Sequence, residues 1–499
     1  MRIKLTCITI TIAMFCPTFL WGGIEKLDHE LQQIAAAASA SDVDVIVQYR
    51  NNASHETVVR HGRRLQQDLR VVHGGYFRVS AARLNDLAND PDVEYVSPDH
   101  VLSGALDNVA GAVNASAAWT ANLTGSGIGV AVIDSGIQPV PDVPSSSIVY
   151  SQSFVAGDTS TGDAYGHGNH VAGILAGNAT ESTGKNSFRT FRSIADGVQI
   201  INLRVLNGTG QGQDSRVIAA IQEAITLKTQ YNIRVINMSL GRPVCQSYTK
   251  DPLCQAVEQA WKAGIVVVVA AGNDGRNNSQ NTLGYGSINA PGNDPYVITV
   301  GAMKTENTPT RTHDQIASYS SKGPTLIDHI VKPELVAPGN QVIASFNAGS
   351  YLWMTYPTNV VGFSVYETVG MSAAPAFYFT LSGTSMATPV VSAAAAILLQ
   401  KNPSLTPDQV KARLMKTAYK TFPTFSTATD PVSGTVYTTY YNIFSVGAGY
   451  LDIQAALANT DVATGDAMSP VAVYSSATTN TTIQEFPNSA WSSNAIWGS

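Results

Sequence analysis

GIVVVVAA, residues 264–271, is an almost unbroken apolar run. A strand with one wet face alternates apolar and polar residues, whereas a strand covered on both faces reads continuously apolar, as in a parallel sheet. Four further stretches have the same character: GIGVAVI (127–133), VQIINLRVL (198–206), IRVINMSL (233–240) and YVITVGAM (296–303). Helical segments such as DSRVIAAIQEAITLKTQ (214–230) and CQAVEQAWKAG (254–264) lie between them. Alternating buried strands and helices predict a doubly wound α/β domain with a mainly parallel sheet.

At 499 residues, with 44% hydrophobic and 13% charged residues, the chain exceeds one ordinary domain and is foldable throughout most of its length. A net charge of -6 offers no electrostatic reason to bind nucleic acid or an anionic membrane. The N-terminus, MRIKLTCITITIAMFCPTFLWGG, has a basic start at Arg2 and Lys4, an apolar core from Leu5 to Phe15, and small residues at Gly22 and Gly23. That pattern predicts a signal peptide over 1–23 and a secreted, extracellular or periplasmic protein without a membrane span in its mature form. Loss of Cys7 and Cys16 with the signal leaves Cys245 and Cys254 around QSYTKDPL. An even pair in an exported chain suggests a local disulfide, with two free buried thiols as the alternative.

Residues 24–105 read as a small independent α+β unit of ferredoxin-like order. VDVIVQY (43–49) is a strand, ETVVRHGRRLQQDL (56–69) an amphipathic helix, and RVVHGGYFRVS (70–80) two strands broken at Gly74-Gly75. ARLNDLAND (82–90) suits a second helix and VEYVSP (93–98) a last strand, giving β-α-β-β-α-β. The catalytic-size domain then spans 106–458. An irregular stretch between Ile343 and Leu381 carries enough aromatics for a folded surface excursion. After Lys420 there is no Lys or Arg, and 459–499 is rich in Ser, Thr, Asn and Ala, the composition of a flexible low-complexity tail.

Several motifs do not carry the chemistry they suggest. GSGIGV (125–130) precedes its strand, whereas a dinucleotide-binding loop follows one. GNATESTGK (177–185) has the wrong spacing for a phosphate loop, and no Gly-x-Ser-x-Gly marks a nucleophile elbow. His167 and His170 lie outside any His-Glu-x-x-His pattern and have no acidic ligand nearby, so a zinc pair is disfavoured.

Three stretches stand apart. In VAVIDSGI, Asp134 ends an apolar strand; in YGHGNHVAGILAG, Gly-flanked His167 precedes a helix; in LSGTSMATPVVSAAAAILLQ, Ser385 opens a long apolar helix. Singly, each has an ordinary explanation as a turn former, a structural histidine or a cap. Together they are the parts of an acyl-transfer triad. Serine is a weak nucleophile until a base removes its proton, and a carboxylate fixes the tautomer of the imidazole that does so.

These motifs resemble those of the subtilase family, the subtilisin-like serine proteases of peptidase family S8, whose Asp-His-Ser order they follow. GTSMATP (383–389) is the most specific of them, and the likeness runs from about Trp119 to Leu457, through IASYSSKGP (316–324) and KPELVAPG (332–339). The resemblance implies that Asp134, His167 and Ser385 are catalytic and that Asn273 of AAGNDG (270–275) is the oxyanion donor. It implies that Ser239, Leu240 and Gly241 pair with an extended polypeptide substrate, with Ala270, Ala271 and Gly272 as the facing wall. Asn289 then falls near the base of the first specificity pocket and Asp274 at its rim. Residues 24–105 resemble the inhibitor I9-like propeptide, an intramolecular inhibitor and folding aid removed by self-processing near 100–110. The family implies a monomer that needs no cofactor for catalysis, and Asp142 resembles a ligand position for the structural calcium of some members. His170 is then a packing residue, and Asn169 stands where the family usually has Thr or Ser. An inactive binding protein of this fold, or a hydrolase of non-peptide esters and amides, are the rival readings.

Overall fold

A computed structural model describes residues 23–36, 42–50, 65–69, 73–98, 105–184, 186–279, 281–367, 377–430 and 433–491. The signal peptide expected over 1–23 lies outside these residues but for Gly23. The chain divides into two compact units, Met1–Val101 and Leu102–Ser499.

In the first unit, strands β1 (Asp42–Tyr49), β2 (Leu65–Leu69), β3 (Gly74–Ser80) and β4 (Val93–Pro98) form one sheet in the order β2-β3-β1-β4, antiparallel throughout. Helices His29–Ala36 and Leu84–Asn89 accompany it, and Leu31, Val45, Val47, Phe77, Leu84 and Val96 form its core. The helix expected over 56–69 is corrected at its end. Residues 65–69 are a strand, because pairing with β3 satisfies a row of backbone groups that a helix would have left as an open edge. Residues 56–64 lie outside the described residues. Gly74 and Gly75 do not break a strand but begin β3, and a Cβ on Gly74 would collide with the carbonyl of Val47 on β1.

The second unit is built on a sheet of β5 (Gly129–Asp134), β6 (Ile148–Ser153), β7 (Gln199–Arg204), β8 (Ile233–Met238), β9 (Val266–Ala270), β10 (Ile298–Lys304), β11 (Gln315–Ile316) and β12 (Leu335–Pro338). The path β11-β10-β9-β8-β5-β7-β6, with β12 also on β10, is parallel except where β11 meets β10. All five residues of β9 and all six of β5 are buried, as their continuous apolar sequences require. Helix Thr384–Lys401 packs on β8, β9 and β10 and against helix His167–Ala176, while Asp214–Thr226 and Pro252–Lys262 pack together on β5, β7, β8 and β9. Chain order reverses at β5, with β7 and β6 on one side and β8, β9 and β10 on the other. In a doubly wound sheet the crevice at such a reversal, beyond the carboxyl ends of the strands, is where sites form.

The excursion between 343 and 381 is folded where it is described. Strands β13 (Val342–Ser345), β14 (Val360–Val361) and β15 (Tyr378–Leu381) form a small sheet, and Phe346, Leu352 and Phe379 form a separate apolar cluster that Tyr165 and Trp353 join.

The flexible tail expected over 459–499 is corrected as far as Trp491. β16 (Val471–Ser475) and β17 (Asn480–Gln484) form a hairpin, and Ala467, Ala490 and Trp491 are buried in the main core. The cause is polar. Glu334 sits between Lys332 (2.7 Å) and Lys411 (3.1 Å), all with 0% side-chain exposure. Ser469 of the tail donates to Glu334 and accepts from Lys411 Nζ at 3.0 Å. Composition cannot register a serine that completes a buried ion cluster. Glu334→Ala leaves two buried ammonium groups without their carboxylate and is expected to cost about 3–5 kcal/mol, read as a lower urea midpoint.

Candidate active site

Asp134 is the last residue of β5 and is 1% exposed, so its carboxylate reaches the crevice while its backbone stays in the sheet. Its Oδ1 accepts from the Ser135 backbone N–H at 2.7 Å and lies 2.8 Å from His167 Nδ1. His167 is the first residue of helix His167–Ala176, after Gly166 at φ 106°, a left-handed conformation that side chains rarely adopt. A Cβ on Gly166 would also strike the Phe346 ring. With Nδ1 held by Asp134, Nε2 is the ring nitrogen left to take a proton. Burial pulls the His167 imidazole down, but the charge of Asp134, its hydrogen bond and the charge of Asp163 outweigh this and raise its pKa above the ordinary value.

Ser385 lies in the first turn of helix Thr384–Lys401. Its hydroxyl donates to the Ser239 carbonyl at 3.0 Å rather than to His167, and the Ser239 hydroxyl donates to the Ser385 carbonyl at 2.8 Å. The nucleophile candidate and the substrate-strand candidate are thus clasped together, while Ser385 and His167 are not hydrogen-bonded. Asn273 is oriented by Thr384. Its Oδ1 accepts from the Thr384 backbone N–H at 2.9 Å and from the Thr384 hydroxyl at 3.2 Å, which leaves Nδ2 as the free donor. A Cβ built on Gly383 would lie 3.4 Å from that Nδ2, 3.7 Å from Oδ1 and 3.7 Å from the Ser385 backbone nitrogen, so the Asn273 amide and the Ser385 N–H lie near one point at the start of the helix.

Two hollows lie in this region, one lined by Ser239–Gly241 and the other by residues from Pro243 onward. One, of about 310 Å³, is lined by Tyr165, His167, Leu206, Ser239, Leu240 and Gly241. The other, of about 530 Å³, is lined by Asp274, Tyr285, Ile288, Asn289, Leu326 and His329 among others. Asn289 Nδ2 donates to Asp274 Oδ2 at 3.3 Å, so the two residues expected at the first specificity pocket meet in the larger hollow. Ala270 and Ala271 are buried, and Gly272 (φ 107°) has no space for a Cβ because Asn289 Nδ2 would lie 2.7 Å away.

Sequence reasoning missed Asp163, Ser135 and Thr384, which hold the site residues through hydrogen bonds. The available signal was Asp163 itself, an acidic residue four positions before the helix begins at His167. His170 is a buried pin. Its Nε2 lies 3.1 Å from the Val342 carbonyl and 3.0 Å from that of Phe379, and burial pushes its pKa down to about 3, so it stays neutral. Asn169 pairs twice with the Gln138 backbone, Oδ1 accepting at 3.0 Å and Nδ2 donating at 2.8 Å, which a single hydroxyl cannot reproduce in that form.

The expected Cys245–Cys254 disulfide is corrected: both thiols are free, Cys245 exposed and Cys254 buried. Cys254 points inward from helix Pro252–Lys262 and donates to Asn293 Oδ1 at 3.3 Å, away from the exposed loop that carries Cys245. Stiffness beside the cleft comes instead from Arg242, whose guanidinium joins Asp214 and Asp251, each at 2.8 Å. Asp142 does not fit a calcium ligand. Oδ1 accepts from the Glu181 N–H at 2.9 Å and Oδ2 from the Tyr378 hydroxyl at 2.7 Å, so both oxygens face donors. Among the described residues no group of three or more His, Cys, Asp or Glu side chains could hold a metal ion.

With this geometry in place, comparison with known proteins is direct: residues 125–449 match the subtilase family, peptidase S8. The chain belongs to the subtilase family. It is 38% identical to the serine protease AprX of Bacillus subtilis over 301 residues, 58% of this chain and 61% of that protein, so it spans less than two thirds of AprX. It is 30% identical to subtilisin E of Bacillus subtilis over 434 residues, 85% of this chain and 92% of that protein. Subtilisin DY of Bacillus licheniformis is 36% identical over 296 residues, 59% of this chain and 84% of that protein. Membership makes this subtilase a serine-type endopeptidase by family. Tyr378→Phe removes a hydroxyl bonded to the buried Asp142 carboxylate and is expected to lower stability by about 1.5–3 kcal/mol. Calorimetry should show the loss, and added calcium should not restore it.

Proposed function

We propose that this subtilase is a secreted endopeptidase made as a zymogen, with Asp134, His167 and Ser385 as its triad. The observation that carries the reading is the 2.8 Å Asp134–His167 contact: His167 lines the same hollow as Ser239, to whose carbonyl Ser385 is hydrogen-bonded, and Asn273 is bonded to Thr384 beside Ser385. An extended polypeptide adds to Ser239–Gly241 as a strand, with Ala270–Gly272 opposite it. Ser385 turns from the Ser239 carbonyl to His167, gives its proton to Nε2 and attacks the peptide carbonyl. Catalytic hydrogen bonds commonly tighten only once substrate is bound. Asp134 steadies the imidazolium. Asn273 Nδ2 and the Ser385 N–H receive the charge on the tetrahedral oxygen, helped by the N-terminal dipole of helix Thr384–Lys401. His167 returns the proton to the leaving amine, and water then frees the acyl-enzyme.

Residues 24–105 act in this reading as the propeptide, cut by the enzyme itself near 100–110, and the mature protein works as a monomer. Among the described residues no helix is long and apolar enough to cross a membrane.

Wild-type protein should cleave casein and label with a fluorophosphonate probe, while Ser385→Ala should do neither and remain full length after signal removal. A wild type that neither labels nor cleaves overturns the reading; one that labels but spares casein makes it an esterase or amidase. Asn273→Ala is expected to lower kcat by about 100- to 1000-fold, the range measured for such a donor in subtilisin. Because His167 must be neutral to act as base, its raised pKa places the acid limb of kcat/KM above the ordinary imidazole value of 6.5. Activity should fall as pH drops through that limb, which a pH–rate profile will locate.

A further inference from the structure

Asp163 touches neither cleft, yet it is bonded to everything that holds the proposed base. Its side chain is 0% exposed. Oδ1 accepts from the Gly166 N–H at 2.7 Å and from the Ser135 hydroxyl at 2.8 Å, and Oδ2 accepts from the Asn169 N–H at 2.7 Å. Ser135 Oγ in turn accepts from the Gly168 N–H at 2.9 Å and lies 3.2 Å from Asp134 Oδ1. The backbone N–H groups on either side of His167, and the one after, are therefore all anchored to one carboxylate and one hydroxyl. That hydroxyl bridges Asp163 to Asp134, the partner of the His167 ring.

We propose that Asp163 is a positioning residue: a buried anion beneath the start of helix His167–Ala176 that holds His167 and Asp134 in register through Ser135 and keeps negative charge beneath the imidazole. The proposal rests on the reading of His167 as base and Asp134 as its orienter. The N-terminus of a helix is where an anion is stabilised, and here three directed hydrogen bonds add to the dipole. The titratable groups that face Asp163 are Asp134 from β5, His167 from the helix and Tyr165 from the intervening loop. Among the described residues no Lys or Arg forms an ion pair with it. Burial pushes the Asp163 carboxyl up to about 6, with Asp134 adding to the rise and the three hydrogen bonds opposing it. Above that pH Asp163 is charged, and its charge is one of those that raise His167. Asn347 Nδ2 also donates to the Asp163 carbonyl at 2.6 Å, tying this loop to the aromatic excursion.

The test uses the full chain carrying Ser385→Ala, so that self-cleavage cannot interfere, and follows the His167 imidazole by NMR across pH. Adding Asp163→Asn, which keeps the shape and removes the charge, should lower the His167 titration midpoint by about 0.5–1 in pH. A folded Asp163→Asn protein with an unmoved midpoint overturns the proposal. Should Asp163→Asn fail to fold, Ser135→Ala in the active chain cuts the bridge and the Gly168 N–H bond but leaves both oxygens of Asp163 in place for Gly166 and Asn169. It should lower kcat about 10- to 100-fold at unchanged KM, with a modestly lower melting temperature from the orphaned Gly168 N–H; unchanged kcat overturns the proposal. A wild type inert toward casein and fluorophosphonate would sink the protease reading alone, since the NMR midpoint reports on Asp163 without turnover.

Discussion

A strand buried on both faces and paired on both edges can offer chemistry only at its ends, and β5 is such a strand. It is bonded to β7 over its whole length and to β8 over most of it, and its six residues are all buried. The terminal carboxylate of Asp134 is the one group of β5 that reaches the crevice with charge. Everything else at the site is arranged around that constraint. One helix brings His167 to it, a second brings Ser385 and the Thr384 groups that orient Asn273, and the clasp between Ser239 and Ser385 joins that second helix to the end of β8.

The parts most legible in sequence were those set by unbroken burial. The five apolar runs became β5, β7, β8, β9 and β10 with ends shifted by at most two residues, because a continuous Val/Ile sequence has few other uses. Asp134, His167 and Ser385 were legible as ends of such elements. What was not legible depended on hydrogen bonds between residues far apart in the chain. Asp163 looks like an ordinary acidic residue until Ser135 connects it to Asp134. Cys245 and Cys254 look like a pair until the helix turns one of them inward to Asn293. Strand β2 was read as helix because LQQDL has no strong preference of its own, and its partner β3 decides its conformation.

Polar burial also separates what this chain does from what the family as a whole suggests. Asp142 sits among Tyr378, Phe191 and Tyr366, whose rings pack edge to face, and it finds its donors in a phenol and a backbone amide. A carboxylate held in this way has each oxygen tied to a group of the protein itself, so the local fold rests on hydrogen bonds that a chelator cannot remove.

The cluster of Lys332, Glu334 and Lys411 also decides where the last described part of the chain lies. Ser469 reaches into it, donating to Glu334 and accepting from Lys411. Withdrawing that segment would strip one partner from each of two buried charges, a cost that a hairpin resting on the surface does not carry. The segment is therefore one wall of the core, and a cut ahead of Ser469 would open that wall.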